Sequence, residues 1–229
     1  MSLETAYNTA IKLNNRSRII KFSLRGEPIL NPNLLEILKI FRLFNEDSVM
    51  MLYSNGKALS KNMANKILEA GVNYIYLDCY DDTFNDYKNK FSEFQTIDHN
   101  LARFNIYEMG SNADKKLILV KDISNSTVYN KKLNNHAGNI DFKLNNLTPL
   151  DKPLNKLCLR PFRDIAIFYN GDVGLCCDDG NLDVILGNIN ENDIMEIWDN
   201  DLINEIRAEM LKNNRFHLPC NRCDFEEDL

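Results

Sequence analysis

Five of the six cysteines, Cys158, Cys176, Cys177, Cys220 and Cys223, fall in the last third of the chain. Their spacing restricts that third more than any apolar pattern does. Cys158, Gly171 and Cys176 form C-x12-G-x4-C, and after a long gap Cys220 and Cys223 form C-x2-C. Two residues between cysteines let both sulfurs face one centre, so the C-x2-C pair is a chelating knuckle. Four thiolates converging from separated loops make a closed site, either tetrahedral zinc or an iron–sulfur cluster. Cys177 competes with Cys176 for one position. Neighbouring side chains on a strand point to opposite faces, and the G-x4-C spacing favours Cys176. Cys79 stands alone at the end of an apolar run and reads as a core residue.

Disulfides are the other use of such cysteines. The N-terminal Met1-Ser2-Leu3-Glu4-Thr5 lacks the charged-then-apolar pattern of a secretory signal. The expected setting is therefore the cytoplasm, where closely spaced cysteines favour metal. With 44% hydrophobic and 26% charged residues the chain has the balance of a globular protein. No apolar run approaches the roughly 20 residues of a membrane span, and a net charge of −6 gives no pull toward nucleic acid. Neither membrane nor nucleic acid is expected as a partner.

Ahead of the cysteines, strands and helices alternate. Strand-like runs lie at 18–24, 48–53, 72–77, 103–109 and 116–123. Helical patterns lie at 4–14, from Pro32 onward with Leu34, Leu35, Leu38, Ile40 and Phe41 as its stripe, after the capping Ser60, and from Asp82 or Thr83 to Phe91. Alternation of this kind predicts α/β structure with a parallel sheet: five strands, too few for a closed eight-stranded barrel and enough for an open, partial βα barrel. In either architecture a ligand site lies at the C-terminal strand ends, where Gly26-Glu27-Pro28, Ser54-Asn55-Gly56 and Asp78-Cys79 fall. The expected domains are residues 1–124 as the βα region, 125–155 as an Asn-rich connection with little regular structure, and 156–229 as a small cysteine-rich domain. In the last of these, Asn170-Gly171 marks a two-residue hairpin turn, and two helices are expected at 193–198 and 202–211. Few large apolar groups lie there, so the small domain is expected to depend on its metal for folding.

The segments Cys158-Leu-Arg-Pro-Phe162, Asn170-Gly-Asp-Val-Gly-Leu-Cys-Cys177, Leu186-Gly-Asn-Ile189, Ile197-Trp198 and Cys220-x-x-Cys223 resemble the SPASM domain appended to radical SAM enzymes. Upstream, Gly26-Glu27-Pro28 with Asn31-Pro32 resembles the GGEP-x-x-NP segment of a radical SAM core, and Ser54-Asn55-Gly56 its T-N-G strand end. The resemblance covers nearly the whole chain. It implies one [4Fe-4S] auxiliary-type cluster on Cys158, Cys176, Cys220 and Cys223, with zinc as the alternative. It also implies a vestigial SAM-type segment at Gly26, Glu27 and Pro28. The family's catalytic cluster is held by C-x3-C-x2-C upstream of the GEP segment, and here no cysteine precedes Cys79. Only 25 residues stand before Gly26, so the first strand and its cluster loop are expected to be missing.

The resulting expectation is an iron–sulfur protein that transfers electrons or binds a partner without cleaving SAM. Its expected partner is a redox protein or a radical SAM enzyme. Two alternatives are a fragment or subunit of a radical SAM enzyme whose catalytic cluster is supplied elsewhere, and a zinc-stabilised binding module.

Overall fold

The computed structural model describes residues 1–79, 84–94, 96–98, 117–122, 135–140, 143 and 148–226. The chain forms two compact units, Met1–Lys131 and Lys132–Leu229.

The first unit is an α/β layer. Strands β1 (Ile19–Phe22), β2 (Val49–Ser54), β3 (Tyr74–Cys79), β4 (Thr96–Asp98) and β5 (Leu117–Asp122) form one sheet in the order β1-β2-β3-β5-β4. Every pairing is parallel. The sheet is open and barrel-like, as the alternation of strands and helices predicts. The run at 103–109 lies outside the described residues, and the short edge strand β4 has no counterpart in the sequence reading. Its three residues carry too little pattern to register.

Helices α1 (Leu3–Leu13), α2 (Leu34–Phe44), α3 (Lys61–Glu69) and α4 (Phe84–Lys90) accompany the sheet. Ser2 caps α1 by accepting from the Thr5 N–H, and Ser60 caps α3 by accepting from the Met63 N–H at 3.1 Å. The buried stripe of α2 is Leu34, Ile37, Leu38 and Phe41, an i, i+3, i+4, i+7 set with Ile37 in the place the sequence reading gave to Ile40. On the strands burial runs through both faces. Val49, Met51, Tyr74, Tyr76, Leu117 and Leu119 cluster on one face, with the Tyr53 and Tyr76 rings stacked at 4.6 Å. Met50, Leu52, Ile75, Leu77, Ile118 and Val120 alternate with them and are equally buried, which is why these strands read as near-continuous apolar runs. Cys79 ends β3 as a buried residue of this core.

The second unit is built from shorter pieces: α5 (Arg160–Arg163), β6 (Ala166–Ile167), β7 (Asp172–Gly174), β8 (Ile185–Asn188), α6 (Ile194–Trp198) and α7 (Asp201–Leu211). The three strands make an antiparallel sheet in chain order. The β6–β7 hairpin turns at Asn170-Gly171, where Gly171 has φ +95° and its N–H donates to the Phe168 carbonyl. Ile194, Ile197, Ile203, Ile206 and Met210 are buried on α6 and α7, so this unit has an apolar core larger than its composition suggested. No helix among the described residues is long and apolar enough to cross a membrane.

Residues 135–140 were expected within an unstructured connection. They belong to the second unit and carry buried Asn135 and Ala137. The Asn135 amide donates to the Arg222 carbonyl at 2.7 Å, and its N–H donates to the Asp224 carboxylate at 2.7 Å. Single polar side chains, not an apolar period, fix this segment.

Candidate metal centre

Three separated segments meet around one pocket of the second unit. The start of α5 places Cys158 and Arg160, the residues just after β7 place Cys176, and the turn Cys220–Arg222 places Cys220 and Cys223. All four expected ligand cysteines line this pocket, together with Arg160, Asp178 and Arg215. In the knuckle, the Cys223 N–H donates back to the Cys220 carbonyl at 3.3 Å, closing a tight turn between the two cysteines. Cys176 is buried and its neighbour Cys177 exposed. Cys177 accepts a hydrogen bond from Arg160 Nη1 at 3.1 Å and does not line the pocket.

The electrostatics of the pocket oppose bare thiolates. Burial pushes the Cys176 thiol up to about 12, with the neighbouring Cys177 and Asp178 charges adding to it and Arg160 working the other way. Burial also raises Cys220, where the charges of Cys176, Cys223 and Cys158 act in the same direction, and it raises Cys223. Thiolates in such a pocket require a cationic centre among them, and binding one then releases protons. The donor set therefore fits an iron–sulfur cluster or a metal. Among the described residues, however, no three of His, Cys, Asp and Glu are gathered so that they hold a single ion. Tetrahedral zinc needs four sulfurs about 2.3 Å from one point.

Two arginines border the pocket. Arg160 pairs with Asp178 and lies over the Phe225 ring, 3.6 Å from its centroid. Burial works against the Asp178 charge, yet the hydrogen bond from His136 at 3.3 Å and the Arg160 guanidinium hold it below the usual carboxylate range. Arg215 is almost wholly buried. Its Nε donates to the Lys156 carbonyl at 2.8 Å, Nη2 to Leu157 at 3.2 Å, and Nη1 to Phe225 at 2.8 Å and Cys223 at 3.5 Å. The segment leading into Cys158 is thereby fastened to the segment leaving Cys223. Arg222 does the same for the 135–140 segment, donating to the Ala137 carbonyl at 2.6 Å and pairing with Asp183.

Sequence reasoning missed Arg215, Asn135 and Asp178. Asp178 was accessible through its place two residues after Cys176. Arg215 and Asn135 carry no motif or period, and their importance lies in distant backbone carbonyls.

In the first unit, Gly26-Glu27-Pro28 opens a turn at Pro28–Leu30 at the C-terminal side of β1. The Glu27 carboxylate accepts from the Ile29 N–H at 3.2 Å and the Asn55 N–H at 2.8 Å. The two motif segments are thus joined through one side chain. Tyr87 Oη donates to the Asn55 carbonyl at 2.9 Å. A Cβ on Gly56 would stand 2.8 Å from the Tyr87 ring, which requires glycine there.

Residues 158–224 match the SPASM family, described as an iron–sulfur cluster-binding domain. An S-adenosyl-L-methionine-dependent 2-deoxy-scyllo-inosamine dehydrogenase from Niallia circulans is 24% identical over 196 residues, covering 86% of this chain and 68% of that protein. The crystal structure of BtrN in complex with AdoMet and 2-DOIA superposes with a TM-score of 0.72 at 21% identity, covering 97% of this chain and 79% of BtrN. The crystal structure of selenomethionine BtrN in an open conformation gives 0.65 at 19% identity over 97% and 78%. At these identities the two structures establish the fold: a βα sheet region followed by a SPASM domain.

Proposed function

We propose that the chain belongs to the radical SAM/SPASM family, and that within it this chain is a one-electron carrier whose [4Fe-4S] cluster is held by Cys158, Cys176, Cys220 and Cys223. The observation that carries this reading is the meeting of those four cysteines, from three segments, around one pocket. A cluster with four cysteine ligands has no open coordination position and supplies reversible redox chemistry, not substrate binding. Cys176 is buried and Cys158, Cys220 and Cys223 are half-buried, and Arg215 braces the two ends of the cradle. The match of residues 158–224 to an iron–sulfur cluster-binding domain supports a cluster over zinc.

None of the six cysteines of these 229 residues forms C-x3-C-x2-C, so the chain by itself holds no iron with a free site and does not cleave SAM. Gly26, Glu27 and Pro28 then act as a turn, since both Glu27 oxygens already accept backbone N–H groups. The setting is the cytoplasm, and the partner is a redox protein or a radical SAM enzyme.

A second reading is favoured by the N. circulans relative. A dehydrogenation that proceeds through a substrate radical leaves one electron and one proton to be removed, and a saturated cluster is suited to take the electron while the proton passes to solvent. This chain then serves a SAM-dependent dehydrogenase whose catalytic cluster sits on another segment or subunit. The test common to both is iron and acid-labile sulfide analysis of anaerobically purified protein, followed by incubation of the dithionite-reduced form with SAM. About four irons and four sulfides per chain are expected, with no 5′-deoxyadenosine. Zinc in place of iron sinks the proposal, and 5′-deoxyadenosine formation sinks its non-cleaving part.

A further inference from the structure

The two arginines bordering the pocket differ in what balances them. Arg160 has a carboxylate partner in Asp178, which is further held by His136. Arg215 has none. Its acceptors are the carbonyls of Lys156, Leu157, Cys223 and Phe225, and among the described residues no carboxylate forms an ion pair with it. The guanidinium stays charged in any protein environment. A charge buried to 2% exposure with only neutral acceptors is unfavourable unless an anion lies near. The pocket that Arg215 lines is also lined by the four cysteines, whose thiolates, with a cluster bound, would bring negative charge beside it.

We infer that Arg215 is the buried counter-charge of the cluster site and sets its reduction potential. The inference rests on the cluster reading above. Four hydrogen bonds to backbone fix the guanidinium, so its charge cannot swing away when the redox state changes. One electron arriving from an external low-potential donor such as dithionite adds one negative charge to the site, with no proton taken up and no bond broken. A fixed neighbouring cation lowers the energy of that more negative state, which raises the potential. Arg160, already neutralised by Asp178, contributes less.

The experiment is an EPR-monitored redox titration of the full, cluster-loaded chain as wild type, Arg215→Gln and Arg215→Lys. At a fixed ambient potential, the reduced-to-oxidised ratio of Arg215→Gln is expected to fall about tenfold, equivalent to about 59 mV for a one-electron couple, while Arg215→Lys stays within about twofold of wild type. An unchanged or raised ratio in Arg215→Gln overturns the inference. So does an equal fall in both variants, which would make the hydrogen-bond fork, not the charge, responsible. If Arg215→Gln does not retain its cluster, Arg215→Lys decides. Loading with a wild-type ratio upholds the role of charge, and failure of both to load overturns it. Wild-type iron content is measured first. Wild type without iron removes the cluster reading itself, whereas loaded protein with no shift removes only the role of Arg215.

Discussion

In the first unit, β2, β3 and β5 are each six residues long, and Ile75, Leu77, Ile118 and Val120 are fully buried along them. In the second unit the strands have two to four residues. Around its pocket the structure is made by guanidinium groups, an aspartate and backbone carbonyls. The first unit is held by area, since burial of aliphatic side chains contributes about 25 cal/mol per Å2 wherever it occurs. Around the cysteines the second unit is held by a few point contacts, some linking residues more than fifty positions apart, as Arg215 does with Lys156 and Leu157. Loss of one side chain is diluted in the first arrangement and concentrated in the second.

The largest expected effect follows from that concentration. Replacing Cys158, Cys176, Cys220 or Cys223 by Ser should abolish most of the bound iron and sulfide, whereas Cys79→Ser and Cys177→Ser should keep it. Cys79 lies in the sheet core, and Cys177 is exposed beside Arg160. Iron analysis of the six variants reads the result. The pair Cys176 and Cys177 gives the sharpest contrast, and full iron in Cys176→Ser would reverse the assignment.

Removing the cluster tests the comparison as a whole. Amide exchange in 156–160 and 215–225 should accelerate by roughly a hundredfold, the equivalent of about 2.7 kcal/mol of lost linkage. Strands β1–β3 should be unaffected. The apolar packing of Ile194, Ile197, Ile203, Ile206 and Met210 should retain intermediate protection, so dependence on metal is confined to the cradle and does not extend over the entire small domain. Equal protection with and without cluster would show the cradle to be self-sufficient, and loss throughout α6 and α7 would show that their core cannot stand alone.

The first unit has point contacts of its own, and Arg42 makes the most hydrogen bonds of them. Arg42 donates to the Gly71 carbonyl through Nε at 3.2 Å and Nη2 at 2.7 Å, to the Asn45, Glu46 and Ser48 carbonyls through Nη1, and to Asn73 Oδ1 at 3.0 Å. Arg42→Ala should lower stability by about 2–3 kcal/mol, because charged hydrogen bonds to partly buried carbonyls are lost together. Iron content should not change. Chemical denaturation followed by far-UV circular dichroism measures the first, and iron analysis the second. A fall in iron would mean that the two units are not energetically separate.

The same contrast decides what was legible in the sequence. The strands β1, β2, β3 and β5 are written in runs such as Val49–Tyr53 and Tyr74–Leu77, where β-branched, aliphatic and aromatic residues repeat. The caps Ser60 and Asp193 stand where helices begin. Asn170-Gly171 specifies its turn by needing a positive φ. The cysteine spacing pointed to one pocket because C-x2-C is a local chelate, and the long gap back to Cys158 was bridged by counting ligands. Arg215, Asn135 and Arg222 were illegible. An arginine or asparagine in a turn has no period, and many of its acceptors are carbonyls of residues whose identity is irrelevant to the bond, as for Arg215. The 135–140 segment reads as a connection for that reason: its hydrophobicity is low, and burial there is driven by hydrogen bonding of Asn135 to the Cys220–Asp224 region.

The smallest effect separates the apolar part of the second unit from its cradle. Helix α6 has five residues, too few to be stable by propensity, since nucleation alone outweighs so short a helix. Two things hold it: Ile194 and Ile197 in the core, and a reciprocal cap. Asp193 Oδ1 accepts from the Met195 N–H at 2.8 Å, and Glu196 Oε2 accepts from the Asp193 N–H at 3.1 Å. Asp193→Ala should therefore cost about 1 kcal/mol, and Asp193→Asn much less. Trp198 closes α6, lies under the Arg207 guanidinium at 4.3 Å, and is the sole tryptophan of the chain. Its fluorescence during urea unfolding thus reports on this unit alone. A lowered midpoint with unchanged iron is the expected outcome. An unmoved midpoint would show that Ile194 and Ile197 alone fix the helix. Loss of iron from so distant a cap would mean that the core and the cradle unfold together, and the contrast between area and point contacts would then hold between the two units but not within the second.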